Sequence, residues 1–195
     1  MDINLDLFEK KKKIIYFFIF LFVISSIYPW ANYLAGDTVI HMIFAENASN
    51  GLWFYYNSNN FSEGETSPIY MLWLTALYVI FPASLIPYII QLFSIIIFFL
   101  SLLLFFKINF KLSNNFSWTV IIFLSFGLMP GVTRNAILGM ENIYATLIIL
   151  SLIYLIISKK LFQKINNYQN EFFLSFLYGI SLCFRPDTIV IIFFI

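Results

Sequence analysis

The nine lysines of this chain stand in three groups, Lys10 to Lys13, Lys107 with Lys111, and Lys159, Lys160 with Lys164, and each group borders an apolar run. Basic clusters of this kind hold the cytoplasmic side of a membrane, so their spacing constrains how the chain can cross. With all three groups inside, the apolar segments 14–30, 88–106, 118–132, 142–158 and 172–184 alternate correctly in direction from a cytoplasmic N-terminus at residues 1–13. Segment 68–81, bounded by Pro82, then has to be a re-entrant or shallow helix, which its length allows. If it crossed, the middle lysines would face outward.

Composition supports the same class. Of 195 residues, 61% are hydrophobic and 11% charged, with a mean hydropathy of +0.87. Soluble domains run near half apolar and about a quarter charged, and a soluble surface could not hide so much Phe, Ile and Leu. The 25 Phe and 12 Tyr suit lipid-facing helices and interfacial belts. A net charge of +1 points to neither nucleic acid nor a strongly acidic partner. The single cysteine, Cys183, excludes an intrachain disulfide framework. The expected fold is therefore all-α, a polytopic transmembrane helix bundle in the cell (plasma) membrane, with residues 14–195 forming the membrane module. Residues 188–195 fall far short of the ~20 a span needs. The chain is accordingly expected to be the N-terminal portion of a longer protein and inactive by itself.

Segment 14–30 follows a basic stretch, as the apolar core of a signal peptide would, but Tyr28-Pro29-Trp30 suits an interfacial helix end better than a cleavage site. It is read as an uncleaved anchor. Residues 31–67 form the first outer loop. Within it, residues 36–51 have helical spacing, with Val39, Ile40, Ile43 and Phe44 as an apolar stripe and Asn50-Gly51 as a C-terminal cap. This predicts an amphipathic helix on the membrane surface. Residues 57–66 are turn-rich and read as a loop.

Under this topology Asp37, Glu46, Glu63, Glu65, Arg134, Glu141, Arg185 and Asp187 all face outward, which puts both arginines and six of the ten acids on one side. Asp37 opens the surface helix, where a carboxylate suits the exposed N–H groups, and it could equally serve as a general base for a hydroxyl acceptor. His41 lies one turn later on the same face and could pair with Asp37 or share a metal with it. Glu63-Gly64-Glu65-Thr66-Ser67-Pro68 closes the loop against a helix start. Glu141, in Gly139-Met140-Glu141-Asn142, either caps a helix or faces a membrane cavity. Arg185-Pro186-Asp187 interrupts an apolar run, where charges need partners or a cavity, and Arg185 is suited to grip a phosphate. No Walker loop, dinucleotide fingerprint, Cys/His metal spacing or nucleophile elbow is present.

In order, these pieces resemble the N-terminal part of GT-C-fold polytopic glycosyltransferases that use polyprenyl-phosphate sugars, the arabinofuranosyl- and mannosyltransferase-like membrane proteins. The resemblance rests on Asp37-Thr38-Val39-Ile40, Glu46-Asn47, Gly51, Tyr56-Asn57, Glu63-Gly64-Glu65-Thr66-Ser67-Pro68, Gly139-Met140-Glu141-Asn142 and Arg185-Pro186-Asp187, and it runs from about Ile14 to the end. Three departures stand out: the family's acidic pair is reduced to Gly36-Asp37, its helix arginine falls at Ile43, and Glu65 replaces an aromatic. What the resemblance implies is inverting transfer of a sugar from a lipid-phosphate donor to a glycan or protein acceptor at the outer membrane face, in building cell-envelope glycan. Asp37 would be the general base and Arg185 would stabilise the leaving phosphate. Glu141 and Asp187 would shape the cavity, with His41 beside them and Glu63 and Thr66 in the loop above. A divalent metal is left open by the reduced acidic pair. Two other classes fit the same charges: a transporter or flippase of a lipid-linked or small solute, and a membrane subunit with no active site.

Overall fold

The computed structural model describes residues 33–57, 60–62, 64–127, 129–159 and 168–186, together with Ile14, Phe17, Phe18, Leu21 and Ser25, which are helical. Most of the expected anchor 14–30, and Glu63 and Asp187 among the expected site residues, lie outside this set. The described chain is all-α apart from one short β-ribbon. Its helices are α1 (Gly36–Ser49), α2 (Pro68–Ile80), α3 (Ile86–Ser113), α4 (Phe116–Gly127), α5 (Pro130–Ile137), α6 (Asn142–Lys159) and α7 (Tyr168–Phe184). A single 3₁₀ turn, Ala83–Leu85, leads into α3. Among the described residues, one continuous helical stretch, Ala83–Ser113, is long and apolar enough to cross a membrane.

The helix boundaries follow local chemistry. Proline starts α2 and α5, and lies in the first turn of α3, where a missing N–H costs nothing. Pro130 also breaks the expected span 118–132. The residue before a proline is pushed out of helical geometry, and Met129 is extended (φ −67°, ψ 113°), so α4 ends at Gly127 and α5 begins afresh. Conversely, nothing between Phe106 and Ser113 stops α3, so it runs past the expected segment end at residue 106 and through Lys107 and Lys111. It ends at Asn114, whose left-handed φ of 47° closes the last turn. The last two helices match their expected segments to within a few residues. The expected loop 57–66 contains half of an antiparallel ribbon, β1 (Tyr55–Asn57) with β2 (Asn60–Phe61). Asn47 of α1 fastens that ribbon, its Nδ2 donating to the carbonyls of Tyr55 (2.8 Å) and Tyr56 (3.1 Å).

Helix α1 leaves Val39 and Ile40 of its apolar stripe exposed and buries Phe44 of the same stripe together with Thr38, His41, Ala45 and Ala48. Positions 38, 41, 45 and 48 form one helical stripe, and its small residues allow close packing on α2. Two polar side chains can lie on this inward face because each finds a partner there: Thr38 Oγ1 donates to Leu138 O at 3.1 Å, and His41 meets carboxylates. The core runs from α1 and α2 through α3, with Phe44, Tyr70, Met71, Leu74, Ile86, Ile90, Phe98 and Leu102 almost fully buried. Helix α3 packs against α4, α5 and α6, and α7 packs on α6 and α2.

The turn between α5 and α6 is pressed against both α1 and α3. Leu138 O accepts from Ala35 N (3.1 Å) as well as from Thr38. Gly139 adopts φ +78°, and a Cβ there would lie 2.6 Å from Ile90 Cγ2 and 3.2 Å from Thr38 Cγ2. Glycine is required on both counts. Gly139→Ala should therefore lower stability by at least about 2 kcal/mol, measured as a fall in thermal midpoint. Gly131→Ala, with nothing near its Cβ and an ordinary φ, should leave the midpoint unchanged or slightly raised.

Candidate functional site

Four segments far apart in sequence meet where α1, the start of α2, the α5–α6 turn and the end of α7 converge. Ser67 precedes Pro68 at the head of α2, and its N–H donates to Glu65 Oε1 at 2.8 Å, turning the Glu65 side chain inward. The Ser67 hydroxyl donates to Phe184 O and so ties this loop to the end of α7. Tyr70, one turn into α2 and fully buried, donates its hydroxyl to Gly139 O and thereby holds the α5–α6 turn. On α6, Tyr144 stacks on Phe184 (5.8 Å between centroids, 10° between planes), which fixes the approach of Arg185.

Charged side chains fill the centre. Glu141, 1% exposed, receives Arg185 Nη1 on Oε1 at 2.6 Å. Its Oε2 lies 3.5 Å from His41 Nε2, an ion-pair distance without hydrogen-bond geometry. The other ring nitrogen, His41 Nδ1, lies 2.9 Å from Glu65. With both nitrogens facing carboxylates, His41 is a cation: burial works against the charge, but Glu141 and Glu65 outweigh it and push the pKa up to about 9. Burial likewise opposes ionisation of Glu141, yet His41 and then Arg185 hold its pKa below the ordinary glutamate value. The two cations and two anions balance, which is how charge can be buried at this depth. The ring of Tyr70 meets His41 edge-on at 5.4 Å.

His41, Glu141 and Arg185, three of the expected site residues, are thus brought together, and Glu65 joins them. Glu65 was noted among the outward-facing charges, in the motif that closes the loop and as a departure from the family pattern, but not as a site residue. His41 does not pair with Asp37, because both of its ring nitrogens face other carboxylates, Glu65 and Glu141. Asp37 is exposed and lines a cavity of about 280 Å³ with Tyr33, Arg134, Asn135, Leu138 and Met140. Thr66 is exposed beside the buried Ser67. Among the described residues, no group of three His, Cys, Asp or Glu side chains is arranged to hold a metal ion.

The linked charges set a pH dependence. A raised histidine pKa contributes stability that is complete below 6.5 and lost as pH rises through about 9. The lowered Glu141 pKa contributes stability that is present above 4.5 and lost as pH falls below it. The thermal midpoint should therefore be highest between about pH 4.5 and 6.5 and decline toward pH 9. His41→Gln should flatten the alkaline decline. Glu141→Gln, which leaves Arg185 and His41 facing an uncharged amide, should cost roughly 3 kcal/mol at neutral pH.

Comparisons of the chain with protein-family models, with curated proteins and with solved structures return no match.

Proposed function

We propose that the chain is a membrane-embedded, GT-C-like glycosyltransferase module that passes a sugar from a polyprenyl-phosphate donor to an acceptor hydroxyl at the outer membrane face. The observation that carries this proposal is the convergence of the pieces on which the resemblance rests. The start of α1, Glu65-Thr66-Ser67-Pro68, Gly139-Met140-Glu141 and Arg185 are bound to one another by Thr38–Leu138, Ser67–Phe184, Tyr70–Gly139 and Glu141–Arg185 contacts. Motifs of unrelated purpose, spread over 150 residues of sequence, would not be expected at one place. The lysine clusters and the apolar helix Ala83–Ser113 support a bilayer setting.

The catalytic load falls on Asp37. The His41–Glu65–Glu141–Arg185 cluster is internally neutralised and mostly buried, which suits the positioning of the loop, the α5–α6 turn and the end of α7. Asp37, by contrast, is exposed at a cavity and borders the turn that the cluster holds. In the transfer, the acceptor oxygen attacks C1 of the sugar while its proton passes to the Asp37 carboxylate. The C1–O bond to phosphate breaks with its electron pair left on the phosphate oxygen, and the configuration at C1 inverts. The polyprenyl phosphate departs, its tail remaining in the lipid.

Asp37→Asn should cut sugar release from a radiolabelled polyprenyl-phosphate donor by about 10²-fold or more while leaving the thermal midpoint unchanged, since the side chain is exposed. Undiminished transfer by Asp37→Asn would remove it as the base. No transfer by the wild-type full-length protein would favour a transporter or a subunit without an active site.

A further inference from the structure

The start of α1 is joined to the α5–α6 turn at three successive points. The N–H of Ala35 and the hydroxyl of Thr38 both donate to Leu138 O at 3.1 Å, and His41 Nε2 lies 3.5 Å from Glu141 Oε2. Asp37 stands between the first two points, and Leu138 and Met140 of the same turn line its cavity. The placement of the turn therefore fixes one wall of the chamber that Asp37 faces. Of the three links, the two to Leu138 O use an amide and a hydroxyl, which keep their protons across the physiological range. The third depends on a histidine proton. A neutral imidazole has one N–H, and the 2.9 Å contact of Nδ1 with Glu65 has hydrogen-bond geometry, so that nitrogen retains it. Nε2 then turns a lone pair toward Glu141 Oε2, a buried carboxylate oxygen with no hydrogen-bond partner, and attraction becomes repulsion.

We infer that His41 is a positioning residue whose proton holds the α5–α6 turn against the start of α1 and so keeps the Asp37 chamber in its working shape. Its bearing on catalysis rests on the reaction proposed at Asp37. The groups that face His41 come from each element packed around it: Glu65 from the loop before α2, Tyr70 of α2 edge-on at 5.4 Å, and Glu141 from the turn. Arg185 of α7 acts through Glu141, whose Oε1 it holds at 2.6 Å. The β-ribbon meets α1 farther along, where Tyr56 lies against Phe44, and it carries no carboxylate or cation. Both carboxylates favour the imidazolium, so the link is intact through the neutral range and is released as pH rises through about 9. Arg185 still neutralises Glu141 when the proton leaves, so the release is confined to the contact between α1 and the turn. Glu65 stands where the resembling family has an aromatic residue, so the family pattern does not supply this pair.

The test follows one proton with three readouts on the full chain in lipid nanodiscs. His41 is the sole histidine of the chain, so the NMR signal of its isotope-labelled ring, absent from His41→Gln, reports its titration directly. Amide hydrogen exchange in 34–42 and 137–145, corrected for the intrinsic effect of pH, should rise about tenfold with the same midpoint, while 98–106 of α3 stays protected. Sugar transfer should lose kcat along that midpoint. Glu65→Gln removes one of the two carboxylates that favour the cation, so it should move all three midpoints down by about one pH unit. His41→Gln should transfer slowly at every pH with no alkaline limb, and His41→Lys, which restores a cation, should recover part of kcat and shift the limb upward. A His41 titration with no change in exchange overturns the inference, as does an alkaline limb that stays in place in Glu65→Gln. Titration and exchange coupled as described, without any transfer by wild type, would keep the clamp and remove the proposed reaction. Transfer that ignores the His41 midpoint would keep the reaction and remove the clamp.

Discussion

Everything at the centre of this molecule depends on keeping Glu141 ionised at 1% exposure. A lone carboxylate there would take up a proton, because desolvation costs several kcal/mol. His41 and Arg185 prevent that, and each arrives on a separate element. Glu65 in turn balances His41. Removing any member leaves an uncompensated charge, so α1, the loop before α2, the α5–α6 turn and the end of α7 are held together as one assembly. Hydrophobic burial is non-directional and cannot specify which of several apolar helices lies next to which. The charge cluster supplies that specificity, and the Ser67, Tyr70 and Thr38 hydrogen bonds keep the backbone segments in register around it.

Much of the architecture was legible because apolar runs and proline positions carry it. Helices α2, α6 and α7 appear near their expected limits, and α1 begins at Gly36 as its spacing implies. The failures have physical causes. Hydropathy alone read through Met129-Pro130 as one span, although the conformational restriction before proline divides it into α4 and α5. The same reasoning ended the segment at residue 106, where the apolar run stops; lysine is a good helix former, and α3 continues to the left-handed Asn114. On α1, hydrophobicity did not reveal the face packed against α2, since it does not register that a histidine will find two carboxylates.

The site was legible in parts and not as a whole. His41, Glu141 and Arg185 each drew notice because ionisable groups beside apolar runs need partners, but which partner each would find depended on three-dimensional packing. Glu65 was the missing member, since spacing gives no clue that a side chain 24 residues from His41 will turn toward it. Asp37 and Arg134 lie 97 positions apart, and the turn at Gly139 is what brings their helices to one cavity. No pattern in the sequence pairs α5 with the start of α1; the positive φ of Gly139 makes that contact possible.

The unbroken length of α3 has a consequence of its own. Its 28 residues rise about 42 Å, whereas a bilayer's hydrocarbon layer is about 30 Å thick. A helix that crosses upright would project its last two turns beyond the acyl chains. Lys107 and Lys111 lie in that projecting part, and their flexible stems could carry the ammonium groups to lipid phosphates. Tilting would shorten the projection and draw both lysines toward the interface. The depth of α3, and with it the height of the Asp37 cavity relative to the headgroups, would then respond to bilayer thickness.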